Sequence, residues 1–347
     1  MKRRAHITLD DIAKKVKVSR VTVSKALRGH PDISEKTSKL VRKVANDLGY
    51  SPNFIARNLS ARRSNMLGVV VPKIAHFFFS SLIESIYNAA FEKNYETILT
   101  VSQENADREK KHIQTLVSMR VDGIIISVSQ ETKDVEIFKW IRKMGIPVVF
   151  VDRMPYPPIE GFSTVQVDDK GGARQVVEQA VKAGYRKMAM IGGNPSINIG
   201  KNRQIGFEES LAQHQLPVKP EWIVHGGFGK EDGYRGFKKL CENGDRPEFV
   251  FAITYPVALG IYEAAKELGL RIPNDIDIIC CGESDMISFL HPSLSCVSQN
   301  PQELGTSAVK TMLEVIERPD EIPERHVVVP TQLILRETGL GKMRVGD

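Results

Sequence analysis

Four residues near the N-terminus combine hydrogen-bond donors with a small apolar side chain: Arg20, Val21, Ser24 and Lys25. Residues four apart share one face of a helix, so these side chains are expected together on the outer face of one short helix. Arginine and lysine can donate to the edge of guanine, and valine can contact the methyl group of thymine. Hydroxyl groups suited to phosphate contacts surround them, on Ser19, Thr22, Ser34 and Thr37. The set predicts base recognition rather than bond-breaking chemistry.

Three short helices are needed to position this set. Thr8, Ser19 and Ser34 each precede a segment with helical apolar periodicity, and each side chain can accept hydrogen bonds from the first turn of a helix. The predicted helices begin after these residues and end near residues 16, 27 and 48. Two helices joined by a tight turn, with a third closing the core, form a helix-turn-helix, whose second helix enters the major groove.

Charge is distributed unevenly along the 347-residue chain. Residues 1–63 hold 16 Lys and Arg against 5 Asp and Glu, a net charge of +11, whereas the remaining residues hold 32 against 37, a net charge of −5. A basic segment on a mildly acidic body is typical of a nucleic-acid-binding head. A solvated basic face is the alternative, and the base-reading set within the same segment argues against it.

Residues 8–13 (TLDDIA), 18–27 (VSRVTVSKAL) and 48–59 (LGYSPNFIARNL) resemble the DNA-binding head of the lactose-repressor (LacI/GalR) family. In that family, the positions of Arg20 and Val21 read bases, and that of Lys25 is usually Arg or His near a guanine or a phosphate. A lysine lacks the bidentate fork of arginine. The resemblance and the residue types together predict DNA contacts from Thr8, Ser19, Arg20, Val21, Thr22, Ser24, Lys25, Ser34, Thr37, Tyr50, Asn53, Ala56, Arg57 and Leu59.

Residues 51–60 form a short amphipathic segment that follows the head. By sequence alone it is a linker with helical tendency, because isolated helices of this length are marginal in water. The resemblance implies a hinge helix that folds on DNA and pairs with its copy in the minor groove. Leu59 would then wedge between base pairs, with Asn53, Ala56 and Arg57 along the groove. Wedges of this kind kink DNA by roughly 20–90°.

From residue 66 onward, short apolar strand-like runs alternate with helical stretches. This alternation predicts parallel sheets covered by helices, and its length predicts two lobes. The body resembles periplasmic-binding-protein folds, and strings such as residues 121–125 (VDGII) and 335–339 (LRETG) extend the family resemblance over nearly the whole chain. The predicted fold class is an all-α helix-turn-helix head plus an α/β periplasmic-binding-protein-like body of two lobes with parallel sheets.

These elements predict three regions along the chain. Residues 1–50 are the DNA-binding domain, 51–65 the hinge helix and linker, and 66–347 the ligand-binding and dimerisation domain. Within the body, the N-lobe is expected to comprise residues 66–162 and 293–325, and the C-lobe residues 163–292 and 326–340.

The resemblance places a ligand between the lobes, at the carboxyl ends of the strands. The matching positions are Phe78, Phe79, Asp152, Arg203, Phe228, Thr254 and Gln299, with Gly282 beside them. Arg203 can bind a carboxylate or neighbouring oxygens of a ligand through two hydrogen bonds. The alternative is that Arg203 forms an ion pair on the lobe surface. The phenylalanines can stack on a sugar or a base, or belong to the core. Asp152 can accept hydroxyl groups or pair only with Arg153.

The sequence motifs at the predicted cleft depart from the family pattern. Thr254-Tyr255-Pro256 replaces an Asn-Asp string, and Cys280-Cys281-Gly282-Glu283 replaces Gly-Phe-Asp-Asp. The carboxylate that usually grips sugar hydroxyls is therefore missing at Gly282. With Arg203 present, the sequence favours an anionic ligand, such as a sugar acid or a sugar phosphate, over a neutral hexose. The vicinal cysteines are interpreted as small apolar residues at a strand end, with a redox switch as the alternative.

Other classes of protein find little support in the sequence. The 4 cysteines form no CxxC pair and no metal or other cofactor motif is found, and nucleotide-binding or hydrolase patterns are missing, so no enzyme activity is expected. No apolar segment follows the basic N-terminus, which argues against the alternative of an extracytoplasmic solute-binding protein, and no run reaches the roughly 18 residues of a membrane span. A cytoplasmic protein is expected.

The sequence thus predicts a transcription regulator, with repression as the family default. Its partners are a pseudo-palindromic double-stranded operator, a small-molecule effector and a second copy of the chain. The effector can act as inducer or corepressor in the same architecture. No C-terminal heptad repeat follows residue 339, which predicts a dimer rather than a tetramer.

Overall fold

The computed structural model describes residues 7–50, 63–75, 77–242, 244–318 and 324–341. It divides into two compact units, Met1–Ser64 and Asn65–Asp347. The predicted hinge contacts Asn53, Ala56, Arg57 and Leu59 lie outside the described residues, and they remain predictions.

The first unit holds the three predicted helices, α1 Leu9–Val16, α2 Arg20–Leu27 and α3 Glu35–Asp47. Their caps are those expected: the side chains of Thr8, Ser19 and Ser34 each accept a hydrogen bond from the backbone amide three residues further along the chain. The small shared core consists of Ile12, Ala13, Val23, Ala26, Val41 and Ala45. The head is therefore confirmed as a three-helix unit.

The N-lobe of the second unit is a six-stranded sheet. Its strands are β1 Met66–Val71, β2 Glu96–Val101, β3 Gly123–Ile126, β4 Val148–Val151, β5 Ser163–Val167 and β11 His326–Val329. They are all parallel, in the order β11-β5-β4-β3-β1-β2. The helices of this lobe are α4 Phe77–Glu92, α5 Ala106–Ser118, α6 Glu136–Lys143 and α11 Pro301–Glu317. Near-continuous apolar strands such as β3 and β4 are buried on both faces, as a helix-covered parallel sheet requires.

The C-lobe repeats this plan. Its strands are β6 Met188–Ile191, β7 Ile223–Val224, β8 Phe249–Ala252, β9 Asp277–Cys281, β10 Ser295–Ser298 and β12 Gln332–Ile334, and its helices are α7 Asp169–Lys182, α8 Asn198–Gln213, α9 Lys230–Glu242 and α10 Tyr255–Glu267. The strand order is β12-β10-β9-β8-β6-β7. All pairs are parallel except that of β12 with β10, which is antiparallel.

The predicted boundaries between the lobes are wrong by a few residues. The prediction put β5 and β11 in the C-lobe and β10 in the N-lobe, whereas β5 and β11 pair within the N-lobe sheet and β10 pairs with β9. The chain completes the strand in one lobe before it passes to the other lobe. The first two crossings fall at Asp168 and Asn300, whose side chains cap α7 and α11 on the other side.

Helix α8 also begins earlier than the sequence predicts, at Asn198 rather than near Arg203. Residues 194–200 (NPSINIG) have the composition of a loop. Gly200 makes the early start possible, since a Cβ there would lie 2.2 Å from the carbonyl oxygen of Asn194. The extra turn carries Asn198 into the contact between the lobes.

Candidate DNA-reading surface and inter-lobe cleft

Helix α2 presents its predicted base-reading residues to solvent. The Arg20 side chain is 67 % exposed and Val21 is 64 % exposed, while Val23 and Ala26 on the opposite face are buried in the core of the head. Arg20 approaches Asp10 at 3.7 Å, an exposed pairing that costs little to exchange for another partner.

Lys25 is held by an intramolecular partner. Its Nζ donates to Asp32 Oδ2 at 3.0 Å, and His30 Nδ1 lies 3.3 Å from the same oxygen. The hydrogen bond from Lys25 lowers the pKa of Asp32 below its ordinary value. A phosphate or guanine contact from Lys25 would therefore have to exchange with this carboxylate.

The predicted phosphate-binding hydroxyls also build the head. Ser19 and Thr22 lie 2.8 Å apart through their hydroxyl oxygens, and Ser34 and Thr37 repeat the arrangement at 2.9 Å at the start of α3. Both pairs mark helix N-termini, where backbone N–H groups favour anions. Tyr50 packs half-buried against the core of the head. The DNA contacts of these residues remain predictions.

A cavity of about 200 Å³ lies between the lobes at the carboxyl ends of the strands. All seven predicted ligand residues line it, as does Gly282: Phe78, Phe79, Asp152, Arg203, Phe228, Thr254 and Gln299. The structure therefore brings together residues from both lobes that are more than 200 positions apart in the chain. Sequence reasoning missed five further lining residues that carry charge or hydrogen-bonding groups, Lys73, Glu104, Arg153, Lys230 and Tyr255.

Arg203 is one of the largest fully buried side chains of the described residues. Its Nε donates to Asp169 Oδ1 at 2.8 Å, and its Nη1 donates to the carbonyl oxygen of Ile253 at 2.6 Å. The alternative of a surface ion pair is therefore wrong. Arg203 forms a buried ion pair that also borders the cavity, so its positive charge is fixed in position.

Arg153 brings a second guanidinium to the cleft from the N-lobe. Its Nη1 donates to Glu104 Oε1 at 2.9 Å, and its Cζ lies 4.6 Å from the ring centre of Phe228 and 5.3 Å from that of Phe79. Phe79 and Phe228 belong to different lobes, so the guanidinium makes cation–π contacts with both lobes. Its Nε is buried and has no hydrogen-bond partner among the described residues.

Asp152 is buried beside both guanidinium groups. Burial raises the pKa of Asp152 to about 6, although Arg153 and Arg203 favour its charged form. Its Oδ2 accepts a hydrogen bond from Ser127 at 3.4 Å, and its Oδ1 has no partner among the described atoms. The unpaired oxygen is an acceptor that a ligand hydroxyl could satisfy.

Thr254 and the cysteines have mainly structural contacts. The Thr254 hydroxyl donates to the carbonyl oxygen of Phe228 at 3.0 Å and caps α10. Cys280 and Cys281 are buried, and burial raises the pKa of the Cys281 thiol to about 11. Protonated, buried thiols support their interpretation as small apolar residues.

The lobes meet beside the cavity through a set of hydrogen bonds. Asn198 donates from Nδ2 to the carbonyl oxygen of Asp152 at 2.9 Å and accepts from the amide of Met154 at 2.8 Å. Asn194 Nδ2 donates to the carbonyl oxygen of Gln130 at 2.8 Å. The start of α8 therefore fixes the C-lobe against the ends of the N-lobe strands.

A larger, open groove of about 1230 Å³ lies along α6 and residues 155–162. Surface lysines and a proline-rich loop line it, and the buried carboxylates and guanidinium groups of the cleft do not reach it. Because ligand sites enclose most of a small molecule's surface, the inter-lobe cavity is the better candidate.

Among residues 7–50, 63–75, 77–242, 244–318 and 324–341, no group of three or more His, Cys, Asp or Glu could hold a metal ion. Within the same ranges, no helix has both the length and the apolar character needed to cross a membrane.

Comparisons with known proteins agree with both halves of this description. Residues 8–53 match the family of bacterial regulatory proteins of the lacI type, and residues 177–338 match a periplasmic binding protein-like domain. Catabolite control protein A of Staphylococcus xylosus is 29 % identical over 335 residues, which cover 96 % of this chain and 99 % of that protein. The ribose operon repressor of Haemophilus influenzae is 29 % identical over 333 residues, with 95 % and 98 % coverage.

A solved structure shows the same fold over almost the full length. The lac repressor dimer bound to operator and the anti-inducer ONPF superposes with a TM-score of 0.84 at 24 % identity, covering 97 % of this chain and 100 % of that one. The lacI-type match of residues 8–53 and the full-length similarity to regulators show that the molecule is a DNA-binding transcription regulator. The chain thus combines a DNA-binding head of the lacI family of bacterial regulatory proteins with a periplasmic binding protein-like domain.

Proposed function

We propose that this regulator is a cytoplasmic homodimer that represses transcription by binding a pseudo-palindromic operator, and that a small anionic metabolite in the inter-lobe cavity modulates this binding. The exposed pair Arg20 and Val21 on a basic three-helix head supports the DNA half of the proposal. The relatives named above as an operon repressor and as an operator-bound dimer support repression and an operator with two half-sites.

The position of the Arg153 guanidinium at the cavity is the observation that supports the ligand half of the proposal. Arg153 is a buried guanidinium whose Nε lies 3.9 Å from Asp152 Oδ2 but makes no hydrogen bond among the described residues. Next to the second guanidinium of Arg203, it provides donors suited to a carboxylate or a phosphate. Lys73 and Lys230 add positive charge at the cavity wall, against Glu104 and Asp152. The aromatic rings of Phe78, Phe79 and Phe228 would contact the apolar face of such a ligand.

Exposed apolar side chains on both lobes support the dimer. Tyr87 and Phe91 stack on α4 with ring centres 6.2 Å apart, and Phe91 is 61 % exposed. In the C-lobe, Phe289 is 71 % exposed beside exposed Met286. Large exposed aromatic side chains are typical of protein interfaces. A second copy would cover these patches and align two heads with two half-sites.

Selection from random double-stranded DNA tests the proposed DNA function. The full chain should enrich an inverted repeat, and its affinity should fall steeply with salt, because several phosphates are neutralised. Enrichment of no sequence would refute the proposal.

A thermal-shift panel of sugars, sugar acids and sugar phosphates tests the ligand class, since a ligand at a hundredfold excess over Kd adds about 2.7 kcal/mol of stability. Stabilisation by neutral sugars alone would refute the anionic ligand.

A further inference from the structure

Glu104 occupies the place in the cleft where an anionic ligand would be expected. Its Oε1 accepts from Arg153 Nη1 at 2.9 Å, and the side chains are 11 % and 6 % exposed respectively. A carboxylate of the chain itself is therefore the counter-ion of the guanidinium that faces both aromatic rings. A buried guanidinium requires such a partner, because an unpaired buried charge is costly.

The same carboxylate also reaches the contact between the lobes. Glu104 Oε2 accepts from the backbone amide of Gln130 at 2.9 Å, and the carbonyl oxygen of Gln130 accepts from Asn194 Nδ2 of the C-lobe at 2.8 Å. One side chain therefore joins Arg153, on the ligand side, to a residue that holds the two lobes together.

The loop around Gln130 is fixed on its other side by Glu109. Its two carboxylate oxygens accept from the amide of Ser129 and from the hydroxyl of Thr132, both at 2.6 Å. Loop 129–132 is therefore held by hydrogen bonds to two carboxyl groups, and Glu104 is the one that also lines the cleft.

Backbone strain is concentrated at the same place. Gln103 and Glu104 have φ values of 54° and 58°, and Asp152, next to Arg153, has a φ of 61°. Left-handed backbone costs free energy in residues other than glycine, and such strain is often found where function requires a fixed geometry. These left-handed residues lie where Glu104 and Arg153 contact each other.

We propose that Glu104 is a built-in anion that an anionic effector displaces from Arg153. This inference rests on the proposed function and adds a mechanism to it. A carboxylate or phosphate of the ligand replaces Glu104 as the partner of Arg153, while a neutral ligand cannot, so Glu104 sets the selectivity for anions. Its departure also removes the acceptor of the Gln130 amide and loosens the bond between Gln130 and Asn194. Occupancy of the cleft is thereby coupled to the arrangement of the lobes.

Calorimetric titration of the full chain with inorganic phosphate, at constant ionic strength, tests the exchange. Glu104→Gln removes the competing charge but keeps an acceptor for the Gln130 amide. The Kd of this variant for phosphate should therefore be at least about tenfold lower than that of the wild type. Arg153→Gln should abolish the binding. Glu131→Gln, an exposed acid in the same loop and outside the cavity, is the matched control and should bind like the wild type.

Hydrogen exchange at residues 129–132 provides a second measurement on the wild type alone. Saturating phosphate should speed exchange of the Gln130 amide by about tenfold, because its acceptor has left. Equal phosphate affinity of wild type and Glu104→Gln, no binding by either, or unchanged exchange at Gln130 would each overturn the inference. Selection of an inverted repeat in the DNA assay would leave the proposed regulator intact in those cases, whereas failure of that selection would refute the proposed function itself.

Discussion

Arg203 Nε lies 2.8 Å from Asp169 Oδ1, and both side chains are almost fully buried between α7 and α8. Arg203 is therefore part of the framework of the C-lobe as well as of the cavity wall. Asp169 Oδ2 has no hydrogen-bond partner among the described residues, so the bond from Arg203 to Oδ1 is the main compensation for burying this carboxylate. The pair keeps a positive charge in place before any ligand arrives.

Arg203→Ala should destabilise the body by about 3–5 kcal/mol, because it leaves the carboxylate of Asp169 buried without its partner. Urea unfolding of the full chain would measure the change. Arg235→Ala removes an arginine whose ion pairs are largely exposed, and it should change stability by no more than about 0.5 kcal/mol. A loss below about 1 kcal/mol for Arg203→Ala would show that Asp169 is compensated in another way. Loss of ligand binding in this variant must therefore be compared with that of Arg153→Gln.

Arg20→Ala should relax base preference at one position of each half-site, because the arginine contributes about 1–3 kcal/mol of discrimination between bases there. The measurement is selection from a DNA library with the wild-type and variant chains. Lys39→Ala, on the exposed face of α3 and paired with Glu35, removes the same charge without a predicted base contact. It should weaken binding to all sequences equally. The same base preference in Arg20→Ala and the wild type would contradict the role given to Arg20.

Glu109 should make the stability of the body depend on pH. Burial raises the pKa of Glu109 from 4.5 to about 7, so the folded chain binds a proton that the unfolded chain has lost between these values. The free energy of unfolding therefore falls as pH rises from about 4.5 to 7, by up to about 3 kcal/mol. Asp152, whose pKa is raised to about 6, acts in the same direction.

Urea unfolding at several pH values between 5 and 8 would reveal this slope. Glu109→Gln should flatten it, whereas Glu92→Gln, an exposed acid at the end of α4, should leave it unchanged. Carboxyl groups with lowered pKa, such as that of Asp275, contribute mainly below this range. An unchanged slope in Glu109→Gln would contradict the assignment.

Gly260 allows α9 and α10 to pack closely. A Cβ at this position would lie 2.0 Å from the backbone carbonyl oxygen of Lys230, which cannot move without shifting its helix. Gly260→Ala should therefore lower stability by about 1–3 kcal/mol. Gly244→Ala is the control, since nothing lies within 4 Å of its Cβ position. Equal melting temperatures for the two variants would contradict this account of the packing.

Local rules predicted the head well. The spacing of Thr8, Ser19 and Ser34 before apolar segments fixed the helix starts, because capping depends only on residues within one turn. The crossings between the lobes were harder to place, since the pairing of β5 with β4 and of β10 with β9 depends on strands distant in the sequence.

Arg153 and Glu104 were missed for reasons of backbone geometry. Neighbours on a strand point to opposite faces, so strand alternation does not by itself place Arg153 in the cleft with Asp152. The left-handed conformation of Asp152 ends that alternation and lets both side chains reach the cavity. Glu104 follows β2 in a turn with two such residues, and no local pattern in the sequence predicts that turn.

The most direct test of the account is the affinity of the full chain for its selected inverted repeat, with and without the compound that gives the largest thermal shift. Saturating ligand should change the Kd for DNA by roughly 5- to 150-fold, and saturating DNA should change the Kd for ligand by the same factor. Arg153→Gln should bind the DNA normally and lose the response. An unchanged Kd for DNA in the wild type, at full occupancy of the cleft, would contradict the claim that the cleft controls DNA binding.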